Sequence, residues 1–178
     1  ASYFHLLRRQ AYARPRRPLV VFTPKAMLRL RGATSPVDDF LTGKFEPVLD
    51  DNREVDAAKV TRVLLHAGKI HWDLKSELDK KPNPAIALVR LEQYHPLPVE
   101  ELKAVLAQFP NAEDFAWVQE EPANQGAWSF VALNLLEHLE GVRLRRISRP
   151  AAAAPAVGSA KMHDAEQTAL VEAALPRP

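Results

Sequence analysis

The pattern of hydrophobic and polar residues predicts short buried strands that alternate with amphipathic helices. Strands are predicted at residues 19–22, 45–49, 59–65, 85–89, 115–118 and 142–147. The strand at 45–49 is expected at an edge, because Pro47 would be out of place in a central strand. Helices are predicted at 2–12, 25–30, 69–81 and 99–109, from Trp128 and from about Ser159. This order predicts a three-layer α/β domain with a parallel or mixed sheet between helices.

Several local signals predict where elements begin and where the chain divides. Ser2, Thr23 and Asn124 are candidate N-caps, because their side-chain oxygens can accept an unpaired amide of a first helical turn. Two prolines break the helical pattern at residues 14–18, and we place a linker at 15–18. Residues 1–14 are then the end of a preceding domain and residues 19–178 a second one. We expect the chain to be a fragment, because it opens inside a helix whose apolar face has no preceding partner.

Composition limits the classes of protein that remain. The 178 residues include 47% hydrophobic and 26% charged residues, which is typical of a folded globular domain. The sequence contains no cysteine, so disulfides, thiolate metal sites and thiol nucleophiles are excluded. The apolar runs are too short to span a bilayer, and no signal-peptide pattern opens the chain. We therefore expect no membrane segment and a cytoplasmic location.

The positive charge is small and clustered. The formal net charge is +2, and arginines concentrate at residues 8–9, 14–17 and 143–149. No aromatic platform is interleaved with these arginines and no nucleic-acid motif appears, so nucleic acid is not an expected partner. An anionic small molecule or an acidic protein face is the alternative ligand for them.

The motifs of common active sites are missing from the sequence. Six histidines are scattered over different elements without the spacing of a metal site, and neither a nucleophile elbow nor a P-loop occurs. The turn Ala67-Gly68-Lys69 is either a phosphate cradle or a tight connection between a strand and a helix. By these residues alone the chain reads as a structural, regulatory or assembly domain without a complete active site.

The polar loop after the strand at 115–118 is the main candidate site. In an open α/β sheet, ligands and partners usually lie beyond the carboxyl ends of the strands. Glu120 and Glu121 are either solvated acids or functional groups, and both readings stay open. We predict that the loop faces a subunit interface, with four candidate residues: Glu120, Glu121, Asn124 and Gln125.

Long ordered blocks resemble the C-terminal part of the decarboxylating first component of the 2-oxoglutarate dehydrogenase complex. The blocks lie at residues 3–10, 17–25, 68–69, 89–93, 119–128, 149–150 and 159–163, and the longest reads Gln119-Glu120-Glu121-Pro122-Ala123-Asn124-Gln125-Gly126-Ala127-Trp128. The resemblance implies that residues 1–14 are the C-terminal end of a pyrimidine-binding domain and that residues 19–178 are a transketolase C-terminal-like domain, in a homodimer. It also implies that thiamine diphosphate and magnesium bind outside this piece, and that a succinyltransferase and a lipoyl domain are partners in the parent reaction.

One branch of that family, the multifunctional 2-oxoglutarate decarboxylase/dehydrogenase, has an allosteric acetyl-CoA site in this region. By resemblance, Arg9, Lys44 and Gln93 match residues of that site. The sequence departs from the pattern at three positions, namely Pro47, Glu100 and Glu101. Two acids in place of two cations repel a polyanion, so we expect acetyl-CoA to bind weakly or not at all. The alternative function is a non-catalytic binding module for an anionic ligand or an acidic partner.

Overall fold

The computed structural model describes residues 1–51, 53–139 and 141–176. The chain divides into two compact units, residues 1–46 and residues 47–178. Each unit has its own internal contacts and is described separately. The division at 15–18 inferred from the prolines stays a prediction about domain identity.

The first unit consists of helices and extended segments. It contains α1 (Ser2–Tyr12), two 3₁₀ helices at Lys25–Arg29 and Arg31–Ala33, and α2 (Val37–Thr42). The buried His5 donates from Nε2 to the carbonyl oxygen of Asp39 at 2.7 Å, and Arg8 donates to the carbonyl oxygen of Gly43 at 2.8 Å. These two side chains of α1 therefore attach it to α2 and to the residue that follows α2.

The strand predicted at residues 19–22 is wrong. This segment has no regular secondary structure, and Val20 and Phe22 are 75% and 93% exposed. Among the described residues no strand pairs with it, and Pro18 and Pro24 border it on both sides. A strand is stable only when a neighbour accepts its backbone hydrogen bonds, and residues 19–22 have the composition of a strand without that neighbour.

The second unit is built on a five-stranded sheet. Its strands are β1 (Val48–Leu49), β2 (Arg62–His66), β3 (Ile86–Leu91), β4 (Asp114–Pro122) and β5 (Leu144–Arg149), in the order β1-β3-β2-β4-β5. The pairs β2–β3, β2–β4 and β4–β5 are parallel, whereas β1 pairs antiparallel with β3 at one edge. The edge position predicted for the proline-containing strand is confirmed.

Helices cover both faces of the sheet. They are α3 (Ile70–Lys80), α4 (Val99–Leu106), α5 (Trp128–Asn134) and α6 (Ala160–Ala174). One apolar cluster joins α3 and α6 to the sheet, and a second joins α4 and α5 to the opposite face. Successive side chains of a strand point to opposite faces, so central strands that are covered on both sides must be continuously apolar. The three-layer α/β architecture, consistent with a transketolase C-terminal-like fold, is confirmed.

The three predicted helix caps are wrong, and the cap observed at Ser159 was predicted only as the approximate start of a helix. Ser159 caps α6, because its Oγ accepts the amide of Met162 at 3.5 Å. The caps proposed at Ser2 and Thr23 are wrong: Ser2 lies inside α1, and neither helix start has a side-chain cap. The cap proposed at Asn124 is also wrong, because α5 begins only at Trp128.

Candidate functional site

Polar side chains concentrate at one end of the sheet, where the parallel strands β2 to β5 finish. We call this end the carboxyl edge and define it by His66, Arg149, the first turns of α3 and α6, and residues 119–128. This last segment, called the 119–128 loop, was predicted as loop throughout, but its residues 119–122 are the end of β4 and only the turn that follows leads to α5. His66, Gln119 and Arg149 are buried there, with exposed fractions of 0%, 3% and 7%. Buried polar groups require partners, and these partners determine the geometry of the edge.

Gln119 organises the 119–128 loop from inside. Its Oε1 accepts hydrogen bonds from Trp117 Nε1 at 3.0 Å and from the backbone amide of Trp128 at 2.9 Å. Its Nε2 donates to the carbonyl oxygens of Gln125 at 2.8 Å and Pro122 at 3.2 Å. Gln119, not Asn124, therefore supplies the acceptor for the first turn of α5.

Gly126 is required for this loop to close. Its φ is +70°, a backbone conformation that residues with a Cβ rarely adopt. A Cβ at this position would lie 2.9 Å from the Cβ of Glu121 and 3.0 Å from Nε2 of Gln119. Gln119 and Gly126 thus form a matched pair in which the backbone of one packs against the amide of the other.

The four interface candidates lie on this loop but have different surroundings. Glu120 pairs with Lys69 at 2.6 Å, whereas Glu121 is exposed. Asn124 exchanges two hydrogen bonds with the backbone of Ala152, at 3.0 and 3.1 Å, and Gln125 donates to the same carbonyl oxygen at 3.0 Å. Asn124 and Gln125 therefore hold the segment after β5 against the loop.

Lys69 stands in the turn after β2 and is held by two carboxylates. Its Nζ lies 2.6 Å from Glu120 and 3.1 Å from Asp73. Burial acts to lower the pKa of Lys69, but the two carboxylates outweigh it and raise the pKa above its ordinary value. Gly68 has φ +70°, as a tight strand-to-helix turn requires. The tight-turn interpretation of Ala67-Gly68-Lys69 is favoured, since the lysine charge is already balanced.

A pair of buried histidines lies beneath this turn. Nε2 of His66 is 3.0 Å from Nδ1 of His71, and the rings stack with an interplanar angle of 8°. Nδ1 of His66 donates to the carbonyl oxygen of Leu64 at 3.0 Å, so in the neutral pair His71 donates to His66. Burial lowers the pKa of His66 to about 4 and that of His71 to about 3, with the nearby charge of Arg90 also unfavourable. Both rings are therefore neutral at pH 7.

The arginines of the cluster at residues 143–149 that lie on β5 have contacts within the chain. Arg145 pairs with Asp114 at 2.7 Å, and Arg146 lies over the ring of Trp128 at 5.6 Å. Arg149 is buried and lies 3.4 Å from Glu166. Arg149 is thus enclosed within the chain, whereas Arg145 and Arg146 keep exposed side chains.

The three residues matched by resemblance to an acetyl-CoA site lie in different units. Arg9 and Lys44 belong to the first unit, where the guanidinium of Arg9 lies 4.0 Å from the ring centroid of Phe45 and Lys44 lies 3.8 Å from Glu46. Gln93 belongs to the second unit, where Nε2 donates to the carbonyl oxygen of Pro96 at 2.7 Å. Each of the three thus has contacts within its own unit.

Two other kinds of feature are absent from residues 1–51, 53–139 and 141–176. Within these ranges no group of three or more His, Asp or Glu side chains is arranged to hold a metal ion. None of the helices there has the length and apolarity needed to cross a membrane.

Comparison with known proteins assigns the family. Residues 34–175 match the family described as 2-oxoglutarate dehydrogenase C-terminal. The chain belongs to this family. The carboxyl edge and nearly all of the second unit lie inside the matched range, so the resemblance seen in the sequence blocks is confirmed, as is membership of an oxidoreductase family.

Relatives of this 2-oxoglutarate dehydrogenase C-terminal domain are long proteins. A 2-oxoglutarate dehydrogenase E1 component of Cupriavidus necator is 44% identical over 98% of the chain, and the chain covers 18% of that relative. A multifunctional 2-oxoglutarate metabolism enzyme of Mycobacterium sp. strain KMS is 46% identical over 98% of the chain, which covers 14% of it. A 2-oxoglutarate dehydrogenase E1/E2 component of Corynebacterium glutamicum is 44% identical, with the same shares of 98% and 14%. The chain spans less than a fifth of each of these relatives.

The residues that build the carboxyl edge were mostly not singled out from the sequence. Gln119 and Gly126 stand inside the block that carries the family resemblance, but their mutual contact is visible only in the fold. Arg149 counts in the sequence as one of several arginines, and its burial distinguishes it from Arg145 and Arg146. A buried polar residue has no local sequence signal, because burial depends on elements distant in the chain.

Proposed function

We propose that the chain is the C-terminal, non-catalytic part of a thiamine-diphosphate-dependent 2-oxoglutarate dehydrogenase or decarboxylase. In the parent protein, oxidative decarboxylation of 2-oxoglutarate and succinyl transfer to a lipoyl carrier would then be carried out with residues outside this piece. The family match over residues 34–175 carries the proposal. The likeness to E1 components over 98% of the chain supports it.

The described residues do not fit a bound thiamine diphosphate and magnesium. They contain no cluster of three acidic or histidine ligands, and the lysine of the carboxyl edge is already paired with Glu120 and Asp73. A diphosphate–magnesium group needs oxygen ligands for the metal and unpaired cations or amides for the phosphates. We therefore place the cofactor elsewhere in the parent protein, and no step of the reaction is assigned to this chain.

The test of this assignment is an activity assay with two proteins. The intact parent, supplied with thiamine diphosphate, magnesium and 2-oxoglutarate, should release carbon dioxide. The 178-residue chain under the same conditions should not. Turnover by the chain alone would contradict the proposal, and so would an intact parent that is inactive on 2-oxoglutarate but active on another 2-oxo acid.

We further propose that the 119–128 loop contributes to a homodimer interface in the parent. Its closure by the buried Gln119 gives it a defined shape, and Glu121 remains exposed on it. The charge reversal Glu121→Lys should weaken dimerisation more than about tenfold, because interface charges meet complementary ones. Glu113→Lys, an exposed glutamate before β4 at the other end of the sheet, is the matched control. Equal dimer dissociation constants for both variants in analytical ultracentrifugation would argue against this interface.

The acetyl-CoA site is proposed to be weak or absent. Glu100 and Glu101 are exposed in the first turn of α4, where two acids oppose a polyanionic ligand. Calorimetric titration of the intact parent should show no saturable binding at micromolar acetyl-CoA. Changing both residues to arginine should increase the affinity, and tight binding by the unmodified protein would refute the proposal.

The remaining partners and the location follow from the same assignment. A multienzyme complex containing a succinyltransferase and a lipoyl domain would accept the succinyl group, and the cytoplasm is the proposed compartment. The name E1/E2 component of the Corynebacterium glutamicum relative supports a connection between the two activities in that protein.

A further inference from the structure

Gln167, on α6, lies between a cation and an anion. Its Oε1 accepts a hydrogen bond from Nη2 of Arg149 at 2.7 Å, and its Nε2 donates to Oδ2 of Asp73 at 2.8 Å. A primary amide is the side-chain group that can donate to a carboxylate with one atom and accept from a guanidinium with another. Gln167 therefore joins the end of β5 to the first turns of α3 through two charge-assisted bonds.

Both partners of Gln167 are connected to the 119–128 loop by further polar contacts. Asp73 also contacts Lys69 at 3.1 Å, and Lys69 contacts Glu120 at 2.6 Å. The carbonyl oxygen of Arg149 accepts the backbone amide of Ala123 at 3.0 Å. One path thus reaches the loop through α3 and the other through the backbone of β5.

Arg149 depends on α6 for its charge balance. Among the described residues its guanidinium contacts His163 at 3.3 Å, Glu166 at 3.4 Å and Gln167 at 2.7 Å, and all three belong to α6. Arg149 is only 7% exposed, and among the described residues its Nε has no hydrogen-bond partner. A buried arginine that lost the α6 contacts would be left as an unpaired charge in a poorly solvated position, which is strongly unfavourable.

From these contacts we infer that Gln167 is a clasp that couples α6 to the 119–128 loop, so that detachment of α6 at this point loosens the loop. Detachment would move Arg149 toward solvent and release Asp73 to compete with Glu120 for Lys69. Anything that binds or displaces α6 would then alter the loop on the same edge of the sheet. This coupling concerns the fold of the chain and does not depend on the reaction proposed for the parent.

Hydrogen exchange in the intact parent tests the clasp. Gln167→Met removes both polar ends at similar volume, and the reporters are the loop amides of Ala123 and Gln125, which are bonded to Arg149 and Pro122. We expect these amides to exchange roughly tenfold faster or more, because bonds to charged groups contribute strongly to local stability. Amides of β2 in the sheet centre should keep their protection.

Thr168→Val is the matched control, because Thr168 is exposed on α6 and its hydroxyl donates within the helix, to the carbonyl oxygen of Asp164. It should leave the loop amides unchanged. Gln167→Glu provides a second variant that stays polar and retains the contact with Arg149 but places a carboxylate against Asp73, and it should accelerate the loop amides less than Gln167→Met. Faster exchange in α6 with unchanged loop amides, or an equal increase in the loop and in β2, would overturn the clasp.

Discussion

The two ends of the parallel sheet differ in how far their polar side chains are exposed to solvent. At the amino end, Asp114 lies between Arg62 at 2.5 Å and Arg145 at 2.7 Å, and the side chains of these residues are 23–41% exposed. This triad holds the beginnings of β2, β4 and β5 together while water still reaches all three charges. Exposed ion pairs of this kind contribute little to stability, and they tolerate change.

The carboxyl edge instead buries its polar groups. Gln119, His66 and Arg149 are at most 7% exposed, and their partners lie in the loops and helices that adjoin the ends of the strands. Losing one partner of a buried group leaves the other unsatisfied, which costs more than the bond itself contributes. The amino end therefore joins strands through partly exposed ion pairs, whereas the carboxyl edge fixes the shape of a loop through buried hydrogen bonds, and we expect the buried contacts to be the more costly to remove singly.

The largest effect in this comparison is expected for Gln119→Leu. The change removes the acceptor for Trp117 and Trp128 and the donor for two carbonyl oxygens in a buried position. We expect the free energy of unfolding to fall by roughly 3–4 kcal/mol, as measured by urea denaturation. A loss below about 1 kcal/mol would show that the loop does not need this amide.

The buried histidine pair makes the carboxyl edge sensitive to acid. The pKa values of His66 and His71, about 4 and about 3, lie below the ordinary histidine value near 6.5. Between pH 6.5 and 4 the unfolded chain therefore takes up protons that the native chain does not. Stability is complete above pH 6.5 and falls with decreasing pH, by up to about 1.4 kcal/mol per pH unit for each histidine.

Urea midpoints measured from pH 7 to pH 4 check this dependence. A double variant, His66→Gln with His71→Gln, should flatten the slope in that range, whatever its stability at pH 7. His138→Gln, which changes an exposed histidine after α5, should keep the slope of the original chain. An unchanged slope in the double variant would assign the acid sensitivity to other groups.

Two glycines with the same backbone conformation separate conformational strain from steric contact. Gly68 and Gly126 both have φ +70°, but a Cβ at Gly68 meets no atom within 4 Å, whereas one at Gly126 meets Glu121 and Gln119. Gly68→Ala should cost roughly 1 kcal/mol in unfolding free energy from the left-handed conformation alone. Gly126→Ala should cost about 1–2 kcal/mol more, because the loop must also move apart. Equal losses of unfolding free energy for the two variants, measured by thermal unfolding, would mean that the loop moves to accommodate the added methyl group at no cost.

The smallest effect is expected at the amino end. Asp114→Asn should lower the free energy of unfolding by roughly 0.5–1 kcal/mol, because both arginines of the triad remain solvated. The loss should shrink at about 1 M salt, where the screening length is about 3 Å. Asp79→Asn breaks an exposed pair with Lys75 within α3. It should lower the free energy of unfolding less still, and it gives the reference value for an ordinary exposed ion pair. If the loss for Asp114→Asn does not depend on salt, then the triad is as poorly screened as the buried groups of the carboxyl edge, and the contrast between the two ends is wrong.

Much of the fold followed from local patterns. The central strands were found because runs such as Val63–Leu65 are apolar at every position, whereas β5 was found from alternating apolar and basic residues. The edge position of β1 was inferred from the proline beside it. The strand at residues 19–22 failed because composition reports the propensity to be extended but not the presence of a neighbour. Asn124 failed as a cap for a related reason: its side chain bonds Ala152, which is distant in sequence.

The sequence by itself determined the types of the elements, the layered α/β class and the family, because periodicity, turn residues and ordered motifs are local properties of the chain. Only the tertiary structure decided the strand order β1-β3-β2-β4-β5, the burial of Gln119 and Arg149, and the position of Gln167 between a cation and an anion. These features depend on which elements meet, and pairs such as Asp73 and Gln167 are far apart along the chain. Their cost or benefit arises from desolvation, which exists only once the surrounding elements have packed.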